Sequence, residues 1–226
     1  MMTKKLIALP VILAFLIAPI LVHAKGNISA GEAKAANCSS CHGDGGNSMV
    51  ATFPKLAGQH ASYLVRQLKD FKDGERNAPM MGALAGALDD QAMEDIAAYY
   101  ASKTISANLI PVIFSDDDDD EEEDSAENNA EKVKGLLSLG ADFYRNGNVK
   151  SHVSACIACH GPSGEGNKPS SFPSIHSQHS DYLIKALTDF KKGRRSNLPD
   201  SMMHLIAKKM TEKEIQAVAF YISMMK

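Results

Sequence analysis

Apolar positions recur at helical spacing in two distant stretches of the chain. Leu64, Leu68 and Phe71 fall on one helical face, with Gly74 just after; Leu183, Leu187 and Phe190 repeat the arrangement, with Gly193 just after. A second pair of stripes, Met93, Ile96, Ala97 and Tyr100 and then Ile215, Val218, Ala219 and Ile222, predicts a later helix in each half. A shorter helix is expected from a Ser29 cap through Ala36, with a counterpart from Glu131 to Arg145. No stretch alternates like a strand, so the pattern predicts an all-α chain. Long loops containing Gly and Pro join the helices, and loops of that length in a small module need something to pack on.

The two halves are copies of one module. FPKLAGQHASYLVRQLKDFKDGER (53–76) matches FPSIHSQHSDYLIKALTDFKKGRR (172–195), so that Tyr63 and Gly74 pair with Tyr182 and Gly193. CSSCHG (38–43) matches CIACHG (156–161), and Met80-Met81 matches Met202-Met203. The expected organisation is a leader over 1–24, a first domain over 25–106, a linker over 107–130 and a second domain over 131–226.

The leader carries Lys4 and Lys5, then an apolar run broken by Pro10 and Pro19, then Val22-His23-Ala24. This reads as an export signal cut after Ala24, which places the mature chain in a bacterial periplasm; a retained anchor is the alternative. The linker holds nine consecutive acids, Asp116 to Asp124. A run that repels itself and buries nothing reads as an extended, solvated tether, with a docking patch for a basic partner or a weak cation site as the other readings. The formal charge of the whole chain is −3. Without the acidic run both domains are mildly basic, so the acidity is local. The chain has no Trp and 6% aromatic residues. So small an aromatic core wants another source of buried surface, and a large cofactor would be one.

The four cysteines all lie in the repeated motif. A redox disulfide would explain C-x-x-C but not the histidine that follows it. A zinc site built from Cys38, Cys41, Cys156 and Cys159 would waste both histidines. Covalent haem attachment uses every residue: two thiols bond the two vinyl groups of one haem, and the next imidazole meets the iron. Two such motifs in register imply two haem c groups, with Cys38 and Cys41 anchoring one, Cys156 and Cys159 the other, and His42 and His160 as iron ligands.

The other axial position decides the chemistry, because a methionine there blocks the iron and raises its potential, whereas an open site invites catalysis. Met81 and Met203 are the expected ligands, reaching over the haem from a loop, with Met80 and Met202 as rivals. His60 and His179 read as surface or capping residues, with bis-His coordination as the alternative. Pro54 and Pro173 supply candidate carbonyls for the remaining ring nitrogens of His42 and His160. Gly45, Gly46, Gly164 and Gly166 are expected to let the backbone pass close to the haem. Arg76 and Arg195 read as exposed arginines, with haem carboxylates as alternative partners. No catalytic acid, base or nucleophile is required.

On CSSCHGDGGNS, FPKLAGQHASYLVRQLKDFKDG, MEDIAAYY, CIACHG and SQHSDYLIKALTDFKKG, the chain resembles the cytochrome c4 family of periplasmic dihaem cytochromes. That resemblance implies two tandem class I cytochrome c domains related by pseudo-twofold symmetry. It implies His/Met coordination, carried onto His42 with Met81 and His160 with Met203. It also implies an electron carrier of the respiratory chain, loosely membrane-associated, taking electrons from a cytochrome bc-type donor and passing them to a terminal oxidase. Nucleic acid has no part in it. The alternatives are a dihaem enzyme of the peroxidase or thiosulfate-oxidising type, or the haem subunit of a dehydrogenase. SIHSQ in place of KLAGQ, and the acidic run, depart from the family pattern.

Overall fold

A computed structural model describes residues 26–113, 126–195, 197 and 202–226. The leader and the run from Asp116 to Asp124 lie outside the described residues. The first module contains α1 (Ile28–Lys34), α2 (Ser39–His42), α3 (Ala61–Lys72), α4 (Pro79–Gly86) and α5 (Asp90–Ala101). The second contains α6 (Ala126–Asn146), α7 (Ile157–His160), α8 (Ser180–Lys191), α9 (Met202–Ala207) and α10 (Glu212–Met224). Among the described residues the only β-pairing is two isolated bridges, Asn148 with Val153 and Asn167 with Phe172. None of the described helices is long and apolar enough to cross a membrane.

Each module is framed by its first and last helices, α1 on α5 and α6 on α10. A glycine lies at each crossing. A Cβ on Gly31 would lie 2.0 Å from the Asp95 carbonyl oxygen, and one on Gly140 would lie 2.0 Å from that of Ala217. Only hydrogen leaves room for backbones that close. The Asp95 carboxylate then ties α1 to α5: it accepts from the Asn27 amide and from the Lys34 ammonium. In the second module Thr211 and Glu214 form a capping box that starts α10.

The starts of the first helices differ from expectation. Asn27, not Ser29, caps α1, its side chain accepting from the Ala30 amide. Helix α6 begins at Ala126 rather than Glu131. The larger difference concerns the methionines. Met80 and Met81 lie in α4 and Met202 and Met203 in α9, not in loops. Pro79 explains the first case, since its fixed φ and missing N–H suit the first turn of a helix.

One apolar cluster fills each module. The first gathers Ala35, Leu64, Val65, Ile96, Ala97, Tyr99 and Tyr100, with Cys38 packed against it. The second is larger, built on Phe143, Tyr144, Phe190, Ile215, Val218 and Ile222, with Cys156 and Met203 against it. Cys38 and Cys156 therefore sit at the edge of their cores, where a bound group would extend each.

Candidate functional site

The two motifs fold alike. Each is a single helical turn, with the His42 amide bonded to the Cys38 carbonyl and the His160 amide to the Cys156 carbonyl, both at 2.9 Å. The turn ends at Gly43 (φ 75) and Gly161 (φ 79), a backbone region open to glycine. It sets both thiols and the imidazole of each motif on one short segment. His42 and His160 are buried, 7% and 9% exposed.

Each buried imidazole has one nitrogen committed. His42 Nδ1 lies 2.9 Å from the Pro54 carbonyl oxygen, and His160 Nδ1 lies 3.0 Å from that of Pro173. A carbonyl can only accept, so Nδ1 carries the proton and Nε2 keeps its lone pair. Burial lowers both imidazole pKa values against the opposing pull of those carbonyls, which favours the neutral form that a metal needs. The loop that delivers the carbonyl is fixed the same way twice. Gly46 O accepts from the Leu56 amide and Gly164 O from the Ile175 amide, each at 2.7 Å. The SIHSQ departure therefore leaves this part of the loop unchanged. It does put Ser177, at φ 52, where the first module has Gly58 at φ 70. The Ser177 hydroxyl donates to the Met225 carbonyl at 2.7 Å, which offsets some of that strain.

The more buried thiol of each motif is not activated. Burial pushes the Cys38 thiol up, and the Cys156 thiol up to about 12, the reverse of an activated thiolate. Nor do they make a zinc site: among the described residues no three His, Cys, Asp or Glu side chains converge. Met81 and Met203 are half-buried while Met80 and Met202 are exposed, which leaves Met81 and Met203 as the inward members of their pairs.

A haem also carries two carboxylates, and the structure offers them charge. Arg195 is 8% exposed rather than a surface residue. Its guanidinium donates to the Tyr63 hydroxyl at 2.9 Å and to Gln67 Oε1 at 3.0 Å, while Arg76, half-buried, donates to Gln67 Oε1 at 2.7 Å and to the Tyr182 hydroxyl at 3.2 Å. Among the described residues neither arginine has a carboxylate ion-pair partner; phenol and amide oxygens hold both guanidinium groups in one cationic cluster. Burial raises the Tyr182 phenol, but Arg76 and Arg195 outweigh it and pull it down to about 8. The donor set, the apolar edge beside Cys38 and Cys156 and this cationic cluster all fit a haem.

Several residues at the junction of the modules escaped the sequence reading. His60 is buried, not a surface residue, and neither it nor His179 caps its helix through its side chain. His179 Nε2 lies 2.9 Å from the Ser48 carbonyl oxygen of the other module. Gln59 and Gln178 are buried between the modules. A Cβ on Gly46 would lie 2.7 Å from the Tyr100 ring and 2.8 Å from the Ala57 amide nitrogen. The retained Gln-His pair, at the same place in both repeats, was the available signal.

A family model described as Cytochrome c matches residues 28–103 and again 139–226. Cytochrome c4 of Pseudomonas aeruginosa is 40% identical over 203 residues, covering 89% of this chain and 90% of that protein. A thiosulfate dehydrogenase electron acceptor from Stutzerimonas stutzeri is 35% identical, covering 82% of this chain and 77% of its own length. Among solved structures, reduced cytochrome c4 from Pseudomonas stutzeri superposes with a TM-score of 0.76 at 34% identity, covering 89% of this chain and all of that one.

Proposed function

The chain belongs to the cytochrome c4 family and carries two haem c groups, attached through Cys38 and Cys41 and through Cys156 and Cys159, and we propose that it shuttles electrons in the periplasm between a membrane donor of the cytochrome bc type and a terminal oxidase. A haem c supplies reversible one-electron iron chemistry. In this reading His42 with Met81, and His160 with Met203, hold the two irons, and Pro54 and Pro173 fix the imidazoles. The domains are the two modules, joined by an acidic tether and preceded by a leader removed on export. The chain is a carrier and not an enzyme.

The observation that carries this reading is the likeness of the two sites. Each has the same buried histidine on the same proline carbonyl and a half-buried methionine on the same short helix. A dihaem enzyme needs one site to differ, with an open iron for its substrate. The relative named as a thiosulfate dehydrogenase electron acceptor supports the same role, since it takes electrons from an enzyme. A dehydrogenase of that kind is the second donor worth testing.

A spectroscopic redox titration of the exported, haem-loaded protein tests the assignment. The expected result is two low-spin centres at positive potential, both with the weak far-red band of a sulfur–iron bond. One centre without that band, binding added ligands, would turn the reading to an enzyme. Stopped-flow oxidation by a purified oxidase, with rates that fall as salt rises, tests the acceptor.

A further inference from the structure

The amides of Gln59 and Gln178 make a reciprocal contact. Gln178 Oε1 accepts from the Lys55 amide at 2.8 Å, and its Nε2 donates to the Lys55 carbonyl at 2.9 Å. Gln59 Oε1 accepts from the Ser174 amide at 3.0 Å, and its Nε2 donates to the Ser174 carbonyl at 2.7 Å. Each glutamine oxygen also accepts from the next backbone amide of its own module, His60 at 2.9 Å and His179 at 3.1 Å. The amide orientation is therefore unambiguous: a flipped amide would set NH₂ against two N–H donors and oxygen against a carbonyl.

The target of each glutamine is what matters. The Lys55 amide belongs to the same peptide unit as the Pro54 carbonyl, the acceptor of the His42 Nδ1 proton. The Ser174 amide belongs to the same unit as the Pro173 carbonyl, which faces His160. A peptide is a resonant dipole, so drawing on its N–H enriches its oxygen, and hydrogen bonds in series strengthen one another. With Gln59 at 8% exposed, Gln178 at 6% and Lys55 at 3%, solvent does little to screen the effect. A more negative carbonyl pulls harder on Nδ1–H and makes the imidazole a stronger donor through Nε2.

We propose that each module tunes the iron of the other: Gln178 sets the donor strength of His42, and Gln59 that of His160. Both are positioning residues acting through one peptide unit. The proposal rests on His42 and His160 being iron ligands. It makes the two potentials depend on the modules staying docked.

The test is the haem-loaded full chain carrying Gln178→Ala or Gln59→Ala, with each midpoint assigned to its module by the shifted haem methyl resonances. Gln178→Ala raises the midpoint of the first module and leaves that of the second in place; Gln59→Ala does the reverse. In the reduced protein the Nδ1 proton of the affected histidine moves upfield as its bond to the proline weakens. A shift confined to the mutated module's own centre, or no shift with the Nδ1 proton unmoved, overturns the proposal. If His42→Gly leaves the low-spin spectrum of the first centre intact, the ligand assignment fails, and separately from the tuning.

Discussion

Arg195, from the second module, donates to the hydroxyl of Tyr63 in the first at 2.9 Å. The mirror contact runs from Arg76 to Tyr182 at 3.2 Å. Gln67 Oε1 lies between, accepting from both arginines. Arg195 also rests over the Phe190 ring, 4.5 Å from its centroid. Replacing Arg195 by Leu leaves the half-buried Tyr63 hydroxyl without its donor. The expected cost is about 1–3 kcal/mol, read as a lower urea midpoint of the haem-loaded protein. Arg195→Lys recovers only part of it, because an ammonium cannot reach Tyr63 and Gln67 in one fork.

The Asp95 carboxylate sits about 2 rather than the ordinary 3.8, held down first by the Asn27 amide and then by Lys34 and Gln91. A group whose pKa is lower in the folded state stabilises the fold above its unfolded value. That contribution fades as pH falls from about 4 to about 2. Asp95→Asn should lower the melting temperature at pH 7 and flatten its decline across this acid window. An unchanged acid profile would show that other carboxylates carry it.

Met81 is half-buried and Met80 is 61% exposed on the same helix. Met81→Ala is expected to abolish the first module's share of the far-red sulfur band and to lower that module's potential. Met80→Ala should leave both unchanged. The pair Met203→Ala and Met202→Ala behaves likewise in the second module. Absorbance of the oxidised protein, followed through a redox titration, reads all four.

Two glycines of α6 should respond in opposite senses. Gly140→Ala drives a methyl into the Ala217 carbonyl, and overpacking of this kind costs ~1–3 kcal/mol. A methyl on Gly135 meets nothing within 4 Å. There the gain in helix propensity should stabilise by ~0.5–1 kcal/mol. Thermal unfolding of the two variants separates a close crossing from an ordinary helical glycine.

Much of this was legible in the chain. The repeat, the helical stripes at Leu64 and Leu183, and the C-x-x-C-H motifs are local patterns with a fixed chemistry. Whether Met81 or Met80 faces inward was not, because adjacent residues on a short helix differ only through what packs on them. Arg195 read as exposed for the same reason: its burial comes from Tyr63 and Gln67, supplied by the other module. Gln59 and Gln178 look like ordinary polar residues until the partner peptide is placed beside them. Contacts between repeats leave no periodic trace, only an unexplained identity at equivalent positions.

The contact between the modules is isologous: Gln59 does to Ser174 what Gln178 does to Lys55. It is the geometry of a homodimer written into one chain. In a homodimer every substitution is made twice, so the two centres stay equal. Fusion lifts that constraint, and Ser177 standing where Gly58 stands in the other half is a change made once. Two centres that began as copies can then drift apart in energy, giving the electron a downhill direction inside a single molecule.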